Sequence, residues 1–195
     1  MNKIDAQKYI KDTLNESCEV KKRIIDECSN DIEKAVDLIV ECFKNGKKLL
    51  LAGNGGSAAD AQHIATEFVI RFSADFQRPS LPAFAITTDT SNITAGGNDI
   101  GFENTFARTV EGLGNEGDVF WAISTSGNSE NLIRAIYKAK EKKMKVLSFL
   151  GNGGGKMKDI SDVSIVVPAT GTARVQEGHI TIAHIICYLV ERYIF

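Results

Sequence analysis

Long apolar runs are missing from this chain: none approaches the ~20 residues that cross a bilayer. The opening Met1-Asn2-Lys3-Ile4-Asp5 begins a charged amphipathic stretch rather than a secretory leader, so a cytoplasmic protein without membrane contact is expected. A surplus of positive charge is missing too, with 23 Lys and Arg against 25 Asp and Glu and no basic stripe. Nucleic acid is therefore not an expected partner. The four cysteines, Cys18, Cys28, Cys42 and Cys187, include no CxxC pair. That sets aside a disulfide framework and leaves buried or idle thiols in a reducing compartment. Histidine is scarce: His63, His179 and His184 are the whole supply, which narrows the search for acid–base groups.

Neither glycine nor proline occurs in the first 45 residues, so nothing there interrupts a helix. Ile32, Ala35, Val36, Ile39 and Phe43 repeat at helical spacing, Asn30 with Glu33 reads as a capping box, and Gly46 reads as the stop. Short apolar segments follow at Lys48–Ala52, Ala83–Thr87, Val119–Ile123, Val146–Leu150 and Ser164–Val167, with helical patterns between them. Continuous apolar strands alternating with helices indicate a parallel sheet covered on both faces. Ala173–Ile194 reads as one long closing helix. The 195 residues are expected to form a single domain, with a helical arm at 1–46 and an α/β core at 47–195. The arm has two uses, covering a sheet face or building a subunit interface, and its size favours an oligomer.

Two strands run directly into small-residue turns. The first is Leu49–Ala52 followed by Gly53-Asn54-Gly55-Gly56-Ser57, and the second is Val119–Ile123 followed by Ser124-Thr125-Ser126-Gly127-Asn128-Ser129. Such turns present backbone N–H groups and hydroxyls at a helix N-terminus, where an anion is favoured. Neither holds a Lys or Arg, so dipoles and hydroxyls must do the anchoring, as suits a phosphate monoester held in place.

His63 lies six residues past Ser57, and Glu67 follows it by four, so the two share one helical face. Such a pair binds a divalent metal, works as an acid–base couple, or makes a surface ion pair; the neighbouring anion-binding turn favours a site. The spacing is not HExxH, and peptide hydrolysis has no support. In the last helix, ideal geometry places Glu177 within about 20° of His184 and Gln176 about 80° away, pairing Glu177 with His184. His184 sits among isoleucines and also reads as a buried core residue, as does His179.

Other motifs are weaker. Gly53-x-Gly55-x-x-Ala58 fits part of a dinucleotide fingerprint, but the acidic residue expected about 20 positions on is missing, Asp89 arriving too late. Gly151-Asn152-Gly153-Gly154-Gly155-Lys156-Met157 mimics a P-loop one residue short, with Met157 in place of the metal-binding hydroxyl, and reads as a flexible turn. Asn98-Asp99 either brackets a sugar hydroxyl or breaks a helix.

The ordered set Leu51-Ala52-Gly53-Asn54-Gly55-Gly56-Ser57, His63-x-x-x-Glu67, Gly97-Asn98-Asp99-Ile100-Gly101-Phe102, Ser124-Thr125-Ser126-Gly127-Asn128-Ser129, Arg174-Val175-Gln176-Glu177-Gly178-His179 and His184 resembles the phosphoheptose isomerase family of sugar isomerase (SIS) domain proteins. The resemblance spans nearly the whole chain. It implies a three-layer α/β/α sandwich with a five-stranded parallel sheet in flavodoxin-like order, and a homotetramer with sites at subunit interfaces. It implies conversion of D-sedoheptulose 7-phosphate to D-glycero-D-manno-heptose 7-phosphate through a cis-enediol, the first step toward the ADP-heptoses of bacterial surface polysaccharide. Position by position, one Zn2+ per subunit would be held by His63, Glu67, Gln176 and His184. Substrate would touch Asn54, Gly55, Gly56, Ser57, Glu67, Asn98, Asp99, Ser124, Thr125, Ser126, Ser129 and Gln176. On ligation the resemblance favours Gln176 over the geometric choice, Glu177. Glu67 is assigned the carbon-bound proton and His184 the oxygens, both as catalytic residues.

The main rival is a non-catalytic binding protein of the same fold, of the type that associates with the replication initiator DnaA. As that relative is understood, it lacks the acid and histidine corresponding to Glu67 and His184, which are present here. Isomerases of this fold acting on arabinose 5-phosphate or fructose 6-phosphate usually carry extra domains for which this length leaves no room.

Overall fold

A computed structural model of the chain describes residues 5–195. The opening Met1–Ile4, part of the charged stretch noted above, lies outside the described residues. Five strands, β1 (Leu49–Gly53), β2 (Ala83–Ala85), β3 (Val119–Ser124), β4 (Lys145–Leu150) and β5 (Val163–Val166), form one all-parallel sheet in the order β2-β1-β3-β4-β5. Leu51 lies opposite Ala85 on one side and Trp121 on the other, which fixes the register of the first three strands. This is the expected flavodoxin-like order. Its direction reverses between β1 and β3, so a crevice opens at the carboxyl ends of those two strands. The two small-residue turns leave the sheet at that crevice.

Among the described residues, six α-helices surround the sheet: α1 (Ala6–Lys44), α2 (Gly56–Val69), α3 (Thr90–Asp99), α4 (Phe102–Leu113), α5 (Glu130–Glu141) and α6 (Thr172–Ile194). Alternate strand residues point to opposite faces. Leu49, Leu51, Trp121, Ile123, Leu147 and Phe149 pack with α1, α2 and α6. Leu50, Ala52, Phe120, Ala122, Val146 and Leu150 pack with α4 and α5. Both faces are apolar because both are covered, which is why the strands read as continuous hydrophobic runs.

Helix α1 is unbroken from Ala6 to Lys44, so the expected capping box at Asn30 does not form; Asp5 caps the helix instead, accepting from the Lys8 N–H at 3.1 Å. The stripe of Val20, Ile24, Cys28, Ile32, Val36 and Ile39 is buried on both sides of Asn30, and packing overrides its local preference for a helix start. The stop falls where expected: Gly46 N–H reaches Phe43 O and Lys47 N–H reaches Cys42 O, both at 3.0 Å, the paired bonds of a left-handed helix end. The arm thus covers the sheet with its second half. Its first half carries Tyr9, Ile10 and Leu14, each more than half exposed.

Strand β2 ends at Ala85 rather than Thr87, because Asp89 already caps α3, accepting from the Asn92 N–H at 3.0 Å. All four thiols are free. Burial pushes Cys28 up to about 11 and Cys42 to about 12, and Cys187 well above its ordinary value, which leaves these thiols protonated and idle; Cys18 is exposed.

His179 is a core residue, as one reading of the sequence held. It is fully buried, its Nε2–H donates to Leu150 O at 3.0 Å, and its ring lies 5.4 Å from that of Phe149. Burial lowers its pKa to about 4, opposed by that hydrogen bond. An imidazole in the unfolded chain titrates near 6.5, so below that pH the unfolded state binds the proton first. The stability it contributes is complete above about pH 6.5 and is lost as pH falls toward 4, by up to about 3 kcal/mol. Urea midpoints measured at pH 7 and pH 4.5 should differ less in His179→Gln than in the parent chain.

Candidate active site and metal centre

Helix α2 starts at Gly56, directly after the first turn, and places His63 and Glu67 on one face. His63 Nε2 lies 3.0 Å from Glu67 Oε1. Helix α6 runs beside α2 in the same direction: Gln176 rests on Gly56, His184 faces His63, and Glu191 meets Phe72 just beyond the end of α2. His184 Nε2 is 3.5 Å from His63 Nε2, and the donor atoms of His63, Glu67 and His184 all lie within 4.8 Å of one another. A tetrahedral ion with bonds of about 2.0–2.1 Å sets its ligand atoms about 3.3–3.4 Å apart. The separations of 3.0 and 3.5 Å from His63 bracket that edge length, the third pair lies within 4.8 Å, and two imidazoles with one carboxylate leave a fourth position to be filled. The donor set therefore fits a divalent metal.

Gln176 lies eight residues before His184, about 12 Å along the helix, where its amide covers Gly56 so closely that a Cβ there would overlap Nε2. Asp60 stands beside it, one turn before His63 on the same face of α2. Burial raises the Asp60 carboxyl above its usual value, opposed by the nearby Gln176 amide and His63, and its Oδ2 has no hydrogen-bond partner. Glu177, the partner that helical angles preferred for His184, points elsewhere: it accepts from Ser17 Oγ at 2.8 Å and from Arg174 at 2.5 Å. The Glu177 side chain faces α1, through Ser17, whereas that of His184 faces α2, through His63. A single-helix projection does not carry that distinction.

The two turns face each other across the crevice. Asn54 Nδ2 donates to Asn131 Oδ1 at 3.0 Å, and Asn131 Nδ2 donates to Asn54 Oδ1 at 2.8 Å. A cavity of about 400 Å³ opens beside this amide pair, lined by Asn54, Phe102, Glu103, Ser129, Glu130 and Asn131. In the second turn Ser124 Oγ accepts from the Gly127 N–H at 3.1 Å and lies 3.0 Å from Ser129 Oγ, while Ser126 Oγ accepts from the Asn128 N–H at 3.2 Å. These neutral donors stand ahead of the first turn of α5, an environment that favours a phosphate. In the first turn Ser57 is buried, its N–H bonded to Asn54 O at 3.0 Å, while Gly55 and Gly56 are exposed.

Residues 14–151 match the SIS domain family. A phosphoheptose isomerase of Sulfurimonas denitrificans is 50% identical over 191 residues, 97% of each chain. The solved phosphoheptose isomerase of Francisella tularensis superposes with a TM-score of 0.93 at 35% identity, over 97% of this chain and all of the other. That of Neisseria gonorrhoeae gives 0.90 at 40% identity, over 95% and 98%. The chain belongs to the phosphoheptose isomerase family of SIS-domain proteins.

The glycine-rich segment at Gly151–Met157 does turn, with Gly153, Gly154 and Gly155 all at positive φ, and it is tied to the neighbouring loop. Two short helical turns within Asn152–Ile160, joined by a kink at Gly153–Gly155, brace the serine turn: Met157 N–H reaches Gly127 O at 3.0 Å, Asn152 Nδ2 reaches Thr125 O at 3.2 Å, and Lys156 N–H reaches Asn128 Oδ1 at 3.1 Å. Met157 itself is fully buried, which anchors the segment. Asn98 and Asp99 close α3, are exposed, and bond to each other at 2.7 Å outside the lining of the Asn54–Asn131 cavity. The helix break falls just after them, at Ile100 and Gly101. Three parts of the site had no signal in spacing: Asn131, Asp60 and the glycine brace. Asn131 and the brace act through contacts distant in sequence, and Asp60 is one of many acids on helix surfaces until its burial is known.

Proposed function

We propose that the chain interconverts D-sedoheptulose 7-phosphate and D-glycero-D-manno-heptose 7-phosphate. The reading is carried by the convergence of His63, Glu67 and His184 on one point, with two of them on the helix that leaves the first small-residue turn. Aldose–ketose exchange moves one proton between adjacent carbons and another between their oxygens. Glu67 takes the carbon-bound proton and returns it to the neighbouring carbon on the same face, by way of a cis-enediol. His184 carries the proton between the two oxygens. The hydroxyls and N–H groups at Ser124, Thr125, Ser126 and Ser129 hold the phosphate, and Asn54, Gly55, Gly56 and Ser57 line the other side. Asn98 and Asp99 are assigned to sugar hydroxyls.

The metal is assigned as Zn2+, one per subunit, held by His63, Glu67 and His184; Gln176, whose amide rests on Gly56 in a single copy, joins as a further ligand only on rearrangement. When bound, it supplies polarisation of the substrate carbonyl and stabilises negative charge developing on oxygen.

A homotetramer with sites between subunits is part of the same reading. The His63 side chain is 47% exposed in a single copy, and α3 buries none of its residues. Phe84, Ile100 and Phe102 on one side, and Tyr9, Ile10 and Leu14 on the arm, expose apolar surface that association would cover. A cytoplasmic role in supplying ADP-heptose for surface polysaccharide completes the assignment.

Purified protein incubated with sedoheptulose 7-phosphate should form the aldose. A chelator should lower the rate by about 100-fold or more, since a metal contributes several kcal/mol to charge stabilisation, and Zn2+ should restore it. No aldose, together with no bound metal, would instead mark a binding protein.

A further inference from the structure

The side chain of Arg78, in the segment between α2 and β2, is fully buried, and so is that of its ion-pair partner Glu191 on α6. Its Nε donates to Glu191 Oε1 at 2.7 Å, its Nη1 to Phe68 O at 2.7 Å and Pro79 O at 3.0 Å, and its Nη2 to Glu67 O at 2.7 Å. The Glu67 and Phe68 carbonyls belong to the last turn of α2, where helical carbonyls lack intrahelical partners and carry partial negative charge. A guanidinium answers both needs, and its planar fork also fixes direction. Glu191 Oε1 accepts in addition from the Phe72 N–H at 2.8 Å, so one carboxylate oxygen on α6 gathers both Arg78 and the chain leaving α2.

Stability alone does not call for this arrangement. A buried ion pair is often matched or exceeded by apolar residues of similar volume, and here Glu191 Oε2 is left without any partner. What the charged fork adds is a set position for the end of α2 against α6. Glu67 is the residue whose own carbonyl it grips, and His184 lies two turns before Glu191 on α6. We propose that Arg78 is a positioning residue of the metal centre, acting through Glu191 to hold α2 against α6 so that His63, Glu67 and His184 meet at one point. The inference rests on the reading of those three residues as metal ligands.

Arg78→Lys keeps the charge and loses the fork; Glu191→Gln keeps the shape and loses the charge. Competition of each metal-free variant with a chromophoric chelator should show Zn2+ affinity lowered about 10- to 100-fold, the range typical of outer partners of metal ligands. The visible absorption of the Co2+-loaded variants should shift. The kcat for sedoheptulose 7-phosphate should fall while KM stays within about threefold. Asp118→Asn is the control: it breaks the Lys48–Asp118 pair at the starts of β1 and β3, which touches none of His63, Glu67, His184, Arg78 or Glu191, and should lower Tm without changing metal affinity or the Co2+ spectrum. If either Arg78→Lys or Glu191→Gln folds and binds Zn2+ like the parent with an unchanged spectrum, the pair is only structural and the inference falls. If the parent takes up no metal, or His63→Ala takes up as much, the metal reading itself falls and the inference with it.

Discussion

Glu67→Gln should turn over sedoheptulose 7-phosphate about a thousandfold more slowly than the parent chain while staying folded, since a positioned base is worth about 10²–10⁴ in rate. The substitution keeps the volume of a side chain that is only 19% exposed and preserves a polar contact with His63. It removes the negative charge and the ability to accept a proton from carbon. The main-chain carbonyl of residue 67 still receives Arg78, so the helix end should not move. Aldose formation measured at saturating Zn2+, alongside metal content per subunit, separates loss of the base from loss of the metal. A rate within a few-fold of the parent, with metal bound, would remove Glu67 from the proton transfer.

Gly127→Ala should lower stability by about 3 kcal/mol or more. The residue has φ of 65°, a conformation that costs a side-chain-bearing residue about 1–2 kcal/mol. A Cβ there would also overlap the Gly154 carbonyl of the bracing segment. That segment is held by the Met157 N–H on Gly127 O and by buried Met157, so it has little freedom to retreat. For a chain of this length the loss corresponds to a fall in Tm of about 6–12 °C. The same displacement moves Ser126 and Ser129, so kcat/KM for the phosphorylated sugar should drop at least about tenfold. A Tm within about 2 °C of the parent would show that the two loops do not brace one another.

Much of the fold was legible because its signals are local. Leu49–Leu51 and Val119–Ile123 are apolar at every position, which only a sheet covered on both faces tolerates. Right-handed crossovers then confine the turns after β1 and β3 to one edge. The i, i+4 spacing of His63 and Glu67 is likewise local, and helical geometry alone put the pair on one face. What was not legible depends on partners far along the chain. Asn30 has the chemistry of a helix start, but the buried stripe from Val20 to Ile39 carries the helix through it. Glu177 and His184 nearly align on an ideal helix, yet one faces α1 and the other α2. Gly151–Met157 has the composition of a loose turn until Met157 finds its place in the core and its neighbours find the serine turn. Arg78 and Glu191 are separated by 113 residues, and nothing in either neighbourhood announces the other.

The reciprocal amides of Asn54 and Asn131 have a consequence for how the enzyme behaves across conditions. Two uncharged carboxamides exchange donors and acceptors without taking up or losing a proton, and salt has no net charge there to screen. The contact that joins the two small-residue loops therefore keeps the same strength across changes in acidity and ionic strength.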